Sequence, residues 1–211
     1  MPIKDSKLLL PPCYMASVHY YAALNAAAEA VIDTRMHFDK RMKHTHRCSI
    51  ADVNGPLMLT VPVEKPASLT TAHCDDIVVS SHGHWWNVHL TALKSAYGRT
   101  PFFEYYLDDF APLLSSQWVG KKITEHNAAI DTLLRRLLAI NTKVSYIDTE
   151  TDDNNLTVAD YRRRHIDFTT DVPYYQIRSR EHGFLPSLSV VDLLFNMGPE
   201  AQIILHRMVS E

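Results

Sequence analysis

Apolar and polar positions along this chain repeat with two different periods, and the changes of period mark its elements. Lys7 to Leu10 is a short apolar run closed by Pro11-Pro12, which reads as a first strand. Ser17 can cap a helix running to about Ala28, rich in Ala and Tyr. Glu29 to Asp33 carries the apolar trio Ala30-Val31-Ile32 and reads as a second strand. Strand, loop, helix and strand in this order form a βαβ unit, which predicts a parallel pair. Arg47 to Ala51 and Leu57 to Val63 flank Asp52-Val53-Asn54-Gly55-Pro56. Asn and Gly both tolerate positive φ, so this spacing predicts a hairpin. Pro62 and Pro66 limit how far its second strand can pair.

The second half is richer in helical periods. Ile77-Val78-Val79 reads as a short strand, and Ser80 to His84 as a loop. A helix then starts near Trp85, with Trp86, Leu90, Leu93 and Tyr97 on one face and Gly98 as its stop. Pro101 opens a helix through Phe110. Lys122 to Ala139 is amphipathic, with Ile123, Ala129, Ile130, Leu133, Leu134, Leu137 and Leu138 expected inside. Thr142 to Ile147 reads as a strand, Asp148 to Asn155 as an exposed acidic loop, and Pro173 to Arg178 as a further strand. Ser187 or Ser189 caps a helix that Gly198 ends, and Pro199 begins another through about Met208.

These elements predict an α/β fold: a single domain over residues 1–211, with a mixed sheet opened by the βαβ unit, a β-hairpin and several packed helices. There is no internal repeat. With 46% hydrophobic and 21% charged residues the composition is that of an ordinary globular protein. A net charge of -3 argues against a nucleic-acid partner held by overall charge. No apolar stretch reaches the roughly 18 residues of a membrane span. Leu8-Leu9-Leu10 is too short for a signal peptide, so a cytoplasmic location is expected. Three widely spread cysteines, Cys13, Cys48 and Cys74, fit reduced thiols better than a disulfide framework.

Candidate chemistry concentrates in three places. Lys40, Arg41, Lys43 and Arg47 follow the second strand of the βαβ unit, and open α/β sheets bind ligands outside the carboxyl ends of their strands. Arg offers a planar fork to phosphate or carboxylate and Lys a point charge. The expected partner is therefore an anionic small molecule: a nucleotide, a nucleotide-sugar or an acyl donor. A solvated basic loop is the plain alternative. The loop from Leu10 to Ser17, with Tyr14, stands where such folds place ligand-contacting turns, and His19 opens the helix behind it. No Gly-rich phosphate cradle is present there, so no particular cofactor is indicated. His82 and His84 are the candidate general bases, since imidazole titrates near neutrality. Together with His89, and Cys74 or Asp75, they invite a metal reading, but their spacing matches no metal motif and no metal is expected. Asp192, an acid among apolar residues, is expected to pair with Arg47 or Arg41. Arg162-Arg163-Arg164-His165 is expected to neutralise the acidic loop before it.

Four segments also resemble a known family. They are Leu10-Pro11-Pro12 with Tyr14 and Tyr20-Tyr21-Ala22; His37-Phe38-Asp39-Lys40-Arg41 through Arg47-Cys48-Ser49-Ile50 to Asn54-Gly55-Pro56-Leu57-Met58-Leu59-Thr60-Val61-Pro62; His82-Gly83-His84-Trp85 through Ser95-Ala96-Tyr97 to Pro101-Phe102-Phe103-Glu104-Tyr105-Tyr106; and the C-terminal run from Phe184 to Glu200, closed by Asn196-Met197-Gly198-Pro199-Glu200. In this order they resemble the WbqC-like protein family. The resemblance implies a soluble protein of O-antigen or other surface-polysaccharide biosynthesis that transfers an aminoacyl group, glycyl included, to a sugar. On this reading Lys40, Arg41 and Arg47 hold the anionic part of the substrate, beside Tyr14 and His19, and His82 or His84 is the base. The alternatives are a non-catalytic nucleotide or nucleotide-sugar module, and an interaction subunit that uses Pro101 to Tyr106 with Trp85 and Trp86. Oligomeric state is left open. The chain departs from relatives at Lys43-His44-Thr45-His46-Arg47, which keeps Arg47 but lacks their Asn.

Overall fold

Leu8, Leu9 and Leu10 are all buried, which places β1 (Lys7–Leu10) in the interior of a sheet with both faces covered. The structure, a computed structural model, describes residues 6–39, 42–68, 70–147, 158–164, 166 and 170–209. Pro11 and Pro12 end β1, and Ser17 caps α1 (Val18–Ala26) by accepting from the Tyr20 N–H at 3.3 Å. β2 (Glu29–Asp33) returns parallel to β1, from Lys7 opposite Glu29 to Leu10 opposite Ile32, as the βαβ reading required. β5 (Lys143–Ile147) pairs with β2 and β6 (Val158–Asp160) with β1, both parallel, giving the order β5-β2-β1-β6. The carboxyl ends of all four strands therefore share one edge.

The Asn54-Gly55 turn joins β3 (Arg47–Asp52) to β4 (Gly55–Thr60), with Gly55 at φ 103. This antiparallel pair is a sheet of its own, so the expected mixed sheet resolves into a parallel sheet and a separate hairpin. Ile77 to Val79 forms no strand; Val79 bridges Val63 and Val78 bridges Lys122, each singly. Nor does 173–178 join a ladder. The Ile177 N–H instead donates to the Asn196 side chain at 3.0 Å.

α2 (Trp85–Tyr97) buries Trp85, His89, Leu93, Ala96 and Tyr97, leaving Trp86 and Leu90 at the rim of its inner face. α3 (Phe103–Phe110) follows, then α4 (Ile123–Leu137) and the short α5 (Ser179–His182). α6 (Val190–Met197) is the hub. It is capped by Ser189, buried from Val190 to Asn196, and packs against α1, α2, α3 and β3. Phe195 lies between the rings of Tyr97, Phe103 and Phe110, with centroids 5.1–5.3 Å away. Gly198 ends α6 and α7 (Ala201–Arg207) closes the fold. Among the described residues no helix is long and apolar enough to cross a membrane.

Candidate functional site

A narrow cleft, partly open to solvent and with room inside for a water-sized group, lies at the carboxyl edge of the parallel sheet. Pro12 and Cys13 reach it from the loop after β1, Ile32 from β2, Tyr146 from β5, and Tyr20 and Tyr21 from α1. α4 supplies the remaining wall through Thr124, Asn127, Ala128 and Asp131. Thr124, Asn127 and Asp131 recur at helical spacing on the same side as Ile123, Ile130 and Leu134, so an amphipathic helix turns a polar stripe inward. Asp131 is buried and well supplied with donors. Arg135 Nε and the Tyr146 hydroxyl donate to its Oδ2 at 2.8 Å, and the Tyr21 hydroxyl donates to its Oδ1 at 3.1 Å. Burial, reinforced by the Asp131 charge, holds both tyrosines well above their usual pKa, so they remain protonated donors. The Cys13 thiol is likewise pushed well up, by burial first and then by Cys74 and Asp131. It is a neutral thiol at pH 7.

Beside the cleft, two cations gather on one carboxylate. Asp75 accepts from Lys122 at 2.8 Å and from cleft-lining Thr124 at 3.1 Å, and Arg35 stands 3.8 Å away. Burial raises the Asp75 carboxyl, but these donors and charges outweigh it and hold the group below the usual carboxylate range. The basic segment between β2 and β3 is fixed beside the cleft at both ends. Ile32 lines the cleft at one end. At the other, the Asn127 side chain donates to the Thr45 carbonyl at 2.8 Å, and the Tyr14 N–H donates to the His44 carbonyl at 2.9 Å. Lys40 and Arg41, in the middle of this segment, lie outside the described residues.

The other expected site residues fall into three groups. Tyr14 is buried and its hydroxyl donates to His89 Nδ1 at 2.8 Å, while His89 Nε2 donates to the Thr60 carbonyl at 3.1 Å. Thr60 pairs with Arg47 across the hairpin, so Tyr14 and Arg47 belong to one neighbourhood. Arg47 is half-buried, and its Nε has no hydrogen-bond partner among the described residues. His19 lies elsewhere, in the first turn of α1, 2.8 Å from Asp171. His82 and His84 are exposed in the turn that opens α2, with the His84 ring 5.3 Å from Trp86. None of the hydrogen bonds, ion pairs or ring contacts of the described residues joins either histidine to Tyr14, His19 or Arg47. His89 points inward with both ring nitrogens occupied, so it does not combine with His82 and His84. Among the described residues no group of three or more His, Cys, Asp or Glu is placed to share a metal ion.

One expectation about the site needs correction. Asp192 does not pair with Arg47. It accepts from the Tyr174 hydroxyl at 2.7 Å and from Gln176 at 3.0 Å, with the Tyr97 hydroxyl also against it. Neutral donors suffice because the carboxyl is wholly buried, where a charge is costly. Arg162 bridges the carboxyl edge. It donates to Asp33 at the end of β2 at 2.7 Å and to Asp160 at the end of β6 at 2.9 Å, spanning β1. His165 and the acidic loop over 148–155 lie outside the described residues. Sequence reasoning passed over Asn127, Asp131, Tyr146, Arg35 and Lys122. The one signal for them was the spacing of Thr124, Asn127 and Asp131 within an otherwise apolar helical face.

The WbqC-like protein family matches residues 12–160, from the loop after β1 to the end of β6. This range holds the cleft walls, the basic segment, the hairpin and the turn with His82 and His84. The C-terminal run from Phe184 to Glu200 lies beyond it. No curated protein and no solved structure matches the chain. With most of its length matched, the chain belongs to the WbqC-like protein family.

Proposed function

We propose that the protein transfers an acyl group, glycyl or another aminoacyl group included, in the biosynthesis of O-antigen or another surface polysaccharide. The donor is an anionic small molecule that carries the acyl group on its phosphate, an acyl nucleotide or another acyl phosphate, bound at the carboxyl edge of the parallel sheet. The observation that supports this most is the basic segment anchored at both ends beside the cleft, at the edge where open α/β sheets take their ligands. Arg35, Lys43 and Arg47, with Lys40 and Arg41 by sequence, hold the donor's charge. Tyr14 fixes the loop beneath it and His19 borders the loop at the start of α1. An acceptor hydroxyl or amine attacks the acyl carbon, its proton passes to a histidine base, and the anionic part of the donor leaves with the bonding electrons. His82 and His84 are the proposed bases because they are exposed. Burial lowers His46, His89 and His126 to about 4 and makes them poor proton acceptors.

A second reading, a binding module for the same anions without turnover, is favoured by one feature. Among the described residues the cleft holds no poised nucleophile, since Cys13 is a neutral thiol. Thermal-shift titration with nucleotides, nucleotide-sugars, amino acids and aminoacyl-adenylate analogues tests both. A ligand at about 100 times its dissociation constant adds about 2.7 kcal/mol. A shift that Lys43→Ala and Lys40→Ala weaken, together with acyl transfer that a His82→Asn, His84→Asn double variant loses, supports the transferase. The same shift without transfer to any sugar acceptor supports the module. No shift with any of them removes both.

A further inference from the structure

Asn127 and Asp131 stand one turn apart on α4 and both line the cleft. The Asn127 amide is oriented by its Nδ2, which donates to the Thr45 carbonyl at 2.8 Å. Its Oδ1 is therefore the free end, and it is buried without a hydrogen-bond partner among the described residues, on a side chain only 2% exposed. A buried acceptor in this state calls for a donor. Asp131 offers a second acceptor, because among the described residues its Oδ1 takes only the Tyr21 hydroxyl, at 3.1 Å, while Oδ2 carries Arg135 and Tyr146. The facing walls are Tyr20, Tyr21 and Tyr146, and no Lys, Arg or His is among the lining residues. The interior thus gathers acceptors and aromatic rings, and the cations stay outside it on Asp75.

We propose that this cleft binds the primary ammonium group of a small ligand, with Asn127 Oδ1 and Asp131 Oδ1 accepting its N–H groups and the tyrosine rings facing its charge. A hydroxyl could satisfy Asn127 alone, whereas an ammonium uses the carboxylate, the amide oxygen and the rings together. The inference rests on the proposed function only in placing the ligand at this edge. It names the substrate class there as an amine that carries an anionic group reaching Arg35 and Lys122 beside the cleft, such as an amino acid or an amino-sugar phosphate.

Isothermal titration of the full chain at pH 7.5 with ethanolamine, ethylene glycol and choline tests it. Ethanolamine is expected to bind about tenfold more tightly than ethylene glycol, which lacks the charge, and than choline, which lacks the N–H donors. Ala128→Leu fills the cleft from a partly exposed helical position and is expected to keep its melting midpoint while losing ethanolamine binding. No ethanolamine binding, equal binding of the three probes, or unchanged binding by Ala128→Leu overturns the ammonium site. Normal ethanolamine binding without acyl transfer to any acceptor counts against the transferase reading alone. Transfer that Ala128→Leu leaves intact counts against the ammonium site alone.

Discussion

The Tyr14 hydroxyl donates to His89 Nδ1 at 2.8 Å, because the Thr60 carbonyl, which can only accept, puts the proton of this buried neutral imidazole on Nε2. Burial lowers His89 and His126 to about 4, and burial with the Arg47 charge does the same for His46. In the unfolded chain these groups titrate near 6.5. Between the two values the unfolded state holds more protons, so stability rises with pH through this window and is lost as pH falls from about 6.5 towards about 4. Each histidine contributes up to about 1.4 kcal/mol per pH unit there. Urea unfolding at pH 7.5, 6 and 5 should show a steep loss, and a flat profile would mean that these histidines are hydrated and chargeable. Tyr14→Phe should cost about 1–2 kcal/mol at pH 7.5, because it leaves Nδ1 buried without its donor.

Asp192 behaves in the opposite sense. Burial raises its carboxyl above the usual range, partly offset by the Tyr174, Tyr97 and Gln176 donors. The folded state therefore holds this proton more firmly than the unfolded chain. The contribution of Asp192 to stability is complete below about pH 4 and falls as pH rises through the folded pKa. Asp192→Asn removes the titration, so the stability gap between wild type and this variant should narrow from pH 4 to pH 7. The comparison cancels the histidine effect, which both proteins share. A gap that stays constant with pH would show that the carboxyl is not raised. Asp192→Ala should cost about 1–3 kcal/mol, since the Tyr174 hydroxyl loses its acceptor while Gln176 keeps the Leu185 carbonyl.

The elements that sequence reasoning located are those with local punctuation. Pro11-Pro12 after β1, Ser17 before α1, Asn54-Gly55 between β3 and β4, and Gly198-Pro199 after α6 each act within a few residues of themselves. The cleft escaped because its residues contradict the rule that locates helices. Thr124, Asn127 and Asp131 are polar yet face inward, and His89 takes a core position that Leu90 was expected to fill. Periodicity assigns polar residues to solvent, and only the fold supplies the partners that make their burial affordable. Arg162 and Asp33 are 129 residues apart in the chain, and nothing local to either announces the other. Asp192 was rightly singled out as a buried acid needing partners, but Tyr174 and Gln176 lie in a stretch read as a strand.

Gly198 is required for two reasons at once. Its φ is 52, and a Cβ built there would collide with the Phe102 ring. Gly198→Ala should therefore destabilise the protein by about 2–3 kcal/mol, from backbone strain and from displacement of the ring. Phe102→Ala in the same chain should recover the steric part and leave the backbone part. A double-mutant cycle measured by urea unfolding should thus give a coupling of about 1 kcal/mol or more. Strict additivity would mean that the ring yields freely.

Ala139 offers the reverse case, a position where glycine should improve the protein. α4 ends in a Schellman arrangement, in which the Ala139 N–H donates to the Arg136 carbonyl at 3.2 Å and the Ile140 N–H to the Arg135 carbonyl at 2.9 Å. The residue in the left-handed position is usually glycine, but here it is Ala139, at φ 54. An L-residue in that conformation costs about 1–2 kcal/mol. Replacing it by glycine returns about 0.4–1 kcal/mol of that as added freedom of the unfolded chain. Ala139→Gly should therefore stabilise by about 0.5–1 kcal/mol. The side chain is exposed, so no packing is lost. A rise in the urea midpoint with an unchanged slope is the expected result. A fall would show that the end of α4 unwinds into another conformation in solution, and the inward stripe of Asn127 and Asp131 would then be held less firmly at its C-terminal side.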